Sequence, residues 1–91
     1  MNEELIAEAE IGEEARAFLQ SELGRCLVGM AQQDAEEARE ALATVDPTDI
    51  PNIRRLQNQA LLGRRFEQYL AELVQRGNNA LAIFKQQREA A

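Results

Sequence analysis

Five arginines in the second half of the chain, Arg54, Arg55, Arg64, Arg65 and Arg76, are the residues whose spacing could do chemistry. Arg54, Arg65 and Arg76 are eleven residues apart, roughly three helical turns, so on one helix they fall along one line with roughly 16 Å between neighbours. Arg55 and Arg64 flank that line. A guanidinium is a permanently charged planar fork that suits phosphate or carboxylate. Such a ridge could therefore follow the phosphates of a nucleic acid, or engage acidic side chains of the same chain, a second copy or another protein. Several features disfavour nucleic acid: a pI of about 4.6, no stacking aromatic residues among the arginines, no recognition-helix motif, and an acidic first half that would repel phosphate.

Other reactive groups are sparse. Histidine is absent, which removes the commonest general base and the commonest zinc ligand. The single cysteine, Cys26, stands at an apolar helical position and reads as a buried thiol. The pairs Glu3/Glu4, Glu13/Glu14 and Glu36/Glu37 suggest acid–base chemistry at first sight. Adjacent helical residues point roughly 100° apart, however, and do not converge on a substrate or ion. No glycine-rich loop precedes a Lys-Ser or Lys-Thr pair, so no phosphate cradle is indicated. The expectation is a protein that is not an enzyme and uses no cofactor or metal.

The elements that must carry the arginines are helical. Ninety-one residues form one small domain, of which 45% are hydrophobic and only 4% aromatic. A chain this short leaves apolar surface in need of a partner. From Glu13 to Val45, apolar residues recur at helical spacing, which predicts a first helix over about 13–45. Ala17, Gly24, Ala31 and Ala38 return every seventh residue, a line of small side chains along which another helix could approach closely. Gly24 reads as a packing glycine; Gly29 could be packing or fraying. The segment from Asn2 to Ile11 is helical in character, with Gly12 as a candidate break.

Pro47 and Pro51 disfavour helical geometry at Asp46 and Ile50, so residues 45–51 form the turn of a hairpin. Asp46, Thr48 and Asp49 are candidate caps for a second helix over about 50–76. In that helix Leu56, Gly63, Leu70 and Phe84 recur at heptad spacing, and Phe66 and Leu73 widen the apolar stripe. Glu67 interrupts a parallel series, either at the stripe's edge or as a buried pin paired with an arginine. At Gly77-Asn78-Asn79 the helix either bends and continues or ends before a short third helix over about 79–89.

Charge is distributed unevenly. Residues 1–50 carry a net −10 and residues 51–91 a net +4, within a total of −6. A hairpin lays the acidic arm against the basic one. The opening Met-Asn-Glu-Glu run lacks a basic leader, and no apolar run is long enough to span a bilayer, which predicts a cytoplasmic protein without a membrane segment.

The stretches "VDPTDIPNIRRLQNQ" and "FEQYLAELVQRGNNAL" resemble small helical proteins of tailed bacteriophages and prophages. In these an acidic helix meets an Asp-Pro hinge, an Ile-x-x-Leu-Gln-Asn helix start and a Leu-x-x-Leu-Val-x-x-Gly ending. The resemblance runs from Glu10 to about Gln87. It implies a viral setting, in the host cytoplasm or the virion, and an assembly or host-interaction role; it transfers no catalytic or binding residue.

The expected fold is an all-α antiparallel hairpin, with an optional short third helix at the C-terminus, dimerising into a four-helix bundle. Its expected function is a phage interaction or assembly protein, with Leu56, Gly63, Phe66, Leu70, Leu73 and Phe84 supplying packing and the arginines specificity. The protein partner beyond a homodimer is not readable. A nucleic-acid-binding hairpin and a small inhibitor of a host enzyme are the alternatives.

Overall fold

The computed structural model describes residues 2–90 and contains three helices: α1 (Glu3–Gln20), α2 (Glu22–Thr44) and α3 (Ile50–Ala90). No strand occurs among the described residues. At 1.5 Å per residue the 41 residues of α3 span about 62 Å. That nearly equals the longest dimension of the molecule, 64 × 27 × 16 Å. The protein is thus an elongated ribbon in which α1 and α2 follow one another along a single long helix, each packed against a different stretch of α3.

The turn forms around Pro47 but is shorter than expected: Pro51 does not keep Ile50 out of helical geometry, and α3 opens at Ile50. Val45 is extended, and Asp46 then accepts hydrogen bonds from the backbone N–H of Thr48 at 2.9 Å and from its hydroxyl at 2.7 Å. These bonds, the backbone one first, hold the Asp46 carboxyl below its ordinary pKa. Asp49 then caps α3, its carboxylate accepting from the N–H of Asn52 at 3.2 Å.

Small residues set the distance between the two arms. A Cβ on Gly12 would stand 2.7 Å from Gly77 Cα, and one on Gly77 would stand 2.8 Å from Gly12 Cα, so α1 and α3 touch backbone to backbone there. Further along, a Cβ on Gly63 would strike the Ala31 carbonyl and lie 2.9 Å from Ala35 Cβ. The core between the arms is correspondingly thin. Its buried hydrophobic residues are Ala15, Ala35, Ala38, Leu56 and Ala80.

Several expectations need correction. The first arm is not one helix over 13–45, because it starts at Glu3 and breaks at Ser21. Ser21 is extended, with φ −73° and ψ 158°. Its hydroxyl donates to the Phe18 carbonyl at 2.6 Å, closing α1, and accepts from the N–H of Gly24 at 2.9 Å, opening α2. Gly24 is buried and closely packed, but its nearest neighbours are the Phe18 carbonyl and the Ser21 hydroxyl across the bend, where a Cβ would collide. Gly12 is no break, since α1 runs through it. Finally, Cys26 is exposed, since Gly24, Ala35 and Ala38 form the buried line of α2 and Cys26 lies off it. The second arm neither ends at Gly77 nor restarts at Asn79; α3 is continuous to Ala90. Contact with Gly12 offsets the roughly 1 kcal/mol that a mid-helix glycine costs.

Candidate interaction surface

The six packing candidates face or border the other arm. Leu56 is buried, and Gly63, Phe66, Leu70, Leu73 and Phe84 are half-buried. They are chiefly the internal seam of the hairpin. Of the small-residue line on the first arm, Ala31 and Ala38 lie on that seam and Ala17 is exposed; Gly29, off that line, has nothing within 4 Å of an added Cβ.

A hairpin of two packed arms has two broad faces, and they differ. One is mixed. Gln32, Arg39, Gln57, Arg64, Glu67 and Gln68 line its grooves together with Ala35, Leu42, Ala60, Leu61, Gly63 and Ala71, and Gln32 Nε2 donates to Glu67 at 2.6 Å across the arms. Glu67 is exposed, so it sits at the edge of the apolar stripe and its partner is a glutamine on α2. The other face is the more apolar at its open positions. Ala31, Leu62, Gly63 and Phe66 line its groove together with Asp34, Arg55, Asn58 and Gln59. Met30, Leu27 and Leu23 precede Asp34 by four, seven and eleven residues, so they continue the same side of α2, and Tyr69 continues the Leu62 side of α3.

These side chains are left in the open. Leu23 is 63% exposed, Met30 59%, Leu62 69% and Tyr69 57%. Removing apolar surface from water is worth about 25 cal/mol per Å², so a contiguous patch of this kind on a chain with so few buried residues favours association. The signal was present in the sequence, in the i, i+4, i+7 spacing of Leu23, Leu27 and Met30. It was masked because an unbroken first helix would have turned these residues inward.

All five arginines are exposed, but they do not form one surface. Arg54, Arg65 and Arg76 run along the outer edge of α3. Arg55 lies at the apolar groove and Arg64 at the polar one, so the two flank the ridge from opposite faces. Arg76 pairs with Glu72 at 2.7 Å on its own helix, and Arg55 donates to Asn52 at 2.8 Å. Arg54, Arg64 and Arg65 make no ion pair among the described residues. The ion pairs within the first arm, Arg16 with Glu13 and Arg39 with Glu36, are exposed and contribute little each. No ion pair joins the two arms among the described residues, so their opposite charges set orientation more than they bind. Arg16 instead reaches across to Asn78, donating at 2.7 Å.

No helix among the described residues is long and apolar enough to cross a membrane. Comparison with protein-family models, with curated proteins and with solved structures finds no match.

Proposed function

We propose that this chain is a non-enzymatic protein-association module that works by covering its exposed apolar face with other helices, while the arginine edge of α3 sets what it accepts. The observation that supports this reading is the contrast between the thin internal core and the open Leu23, Met30, Leu62 and Tyr69 side chains. A phage assembly or host-interaction setting follows from the resemblance in the hinge and α3 motifs. The role of host-enzyme inhibitor would use the same apolar face against a different occupant.

The nucleic-acid reading draws on Arg54, Arg64 and Arg65, which are free of ion pairs among the described residues. Its weakness is geometric. The five arginines spread over an edge and two opposite faces, so no single phosphate path touches them all. Light scattering and gel-shift measurements with short DNA and RNA at two salt concentrations test the choice. The association reading expects no shift at low ionic strength. A shift that weakens steeply with salt would replace it with phosphate binding.

A further inference from the structure

The occupant of the apolar face is specified by its shape, polarity and charge together. The geometry points to a second copy of this chain, stacked on that face about a two-fold axis parallel to the helices, so that α2 of each copy lies on α3 of the other. This rests on the association reading above and names its partner and orientation.

Three observations carry it. First, the faces are unequal: one presents Leu23, Met30, Leu62 and Tyr69 at more than half exposure, whereas the other sets Gln32, Arg39, Arg64, Glu67 and Gln68 among small residues and opens Leu61 to 44%. A ribbon with one apolar face closes into a two-layer pair rather than stacking without limit. Second, the face is large enough. The broad side of the molecule that carries it, 64 by 27 Å in outline, can accommodate the roughly 800 Å² per partner of a standard interface once the residues flanking the apolar cluster join the contact.

Third, charge selects the axis. The first arm is strongly acidic and the second basic. A two-fold axis across the helices would lay α2 on α2 and α3 on α3, like charge on like. An axis parallel to the helices lays each acidic arm on a basic one. It carries α2 residues Asp34 and Glu37 over the stretch of α3 that bears Arg55 and Arg65 in the second copy. It also preserves the register within one chain, where Gln32 bonds Glu67 and Ala35 lies against Gly63. In that register Leu27 stacks on Tyr69 of the second copy and Met30 on its Phe66.

The test combines mass with crosslinking. The wild-type chain should scatter as a dimer, twice its 10.2 kDa. Met30→Glu and Leu62→Glu, both at open positions, should each give a monomer with helical circular dichroism retained. In a Cys26→Ser background, Leu27→Cys and mass-tagged Tyr69→Cys chains, refolded together with a short bismaleimide, should link to each other at least tenfold more than either links to itself. A monomeric wild type overturns the proposal while leaving association with a different protein intact. A dimer indifferent to both glutamates overturns the choice of face. Preferential self-linking of Leu27→Cys overturns the axis. A salt-sensitive nucleic-acid shift, by contrast, would overturn the association reading itself.

Discussion

Two glycine-to-alanine substitutions in this protein should move stability in opposite directions. At Gly12 the new Cβ would lie 2.7 Å from Gly77 Cα and 2.9 Å from the Leu73 carbonyl oxygen, where ordinary contact begins at 3.4 Å. Both neighbours are backbone and cannot swing aside, so α1 and α3 must part by about 0.7 Å at their closest approach. Alanine's helix propensity returns about 1 kcal/mol, against an overpacking cost of about 2–3 kcal/mol at a site this rigid. The net loss is about 1–2 kcal/mol. At Gly29 a Cβ meets nothing within 4 Å, so only the propensity gain of about 1 kcal/mol remains. In a domain of this size 1 kcal/mol moves Tm by about 4–8 °C. Urea and thermal unfolding followed at 222 nm, at one fixed protein concentration, should therefore show Gly12→Ala lowered and Gly29→Ala raised. If both variants were stabilised alike, the backbone contact between α1 and α3 would be refuted.

Three further outcomes can be checked by similar means. Ser21→Ala removes the hydroxyl that closes α1 and opens α2, and should cost about 1 kcal/mol in urea unfolding. Leu56→Ala empties the largest buried side chain in the core and should cost about 2–4 kcal/mol, more than the same change at exposed Leu62. Because the Asp46 carboxyl is held below its ordinary value of 3.8, its contribution is present above that pH and is lost as pH falls through the lower folded value. An NMR titration of the Asp46 carboxyl carbon should place its midpoint below 3.8, and Asp46→Ala should flatten that part of the acid-unfolding profile.

The hairpin was legible because Pro47 and Pro51 interrupt a long apolar period in one place, and Asp49 stands where a cap is needed. The break at Ser21 was not, since Ser-Glu-Leu-Gly lies inside a stretch whose apolar spacing continues on both sides. Its only local signs were a capping serine followed by an acid and, three residues on, a glycine. The apolar period holds for Ala31, Ala35 and Ala38, which do face α3, but not for Cys26, which stands exposed after the bend. Continuity at Gly77 was hidden for a different reason. Glycine followed by two asparagines looks like a helix end, and only the arrival of Gly12, 65 positions earlier, makes a straight path favourable there. The arginine line was correct as geometry, while the separation of Arg55 and Arg64 onto opposite faces depended on knowing where the first arm lies.

The bend at Ser21 also divides the hairpin in time. No continuous hydrogen-bond ladder carries α1 into α2, so α1 can leave α3 by giving up its own seam alone. Closure of α2 onto α3 joins residues such as Gln59 and Asp34, 25 positions apart, whereas docking α1 joins Arg16 to Asn78 across 62. Loop-closure entropy favours the nearer pairing first. Amide hydrogens of α1 should accordingly exchange through a lower-energy opening than those of α2, with the C-terminal half of α3 protected only while its glycine-matched partner is in place.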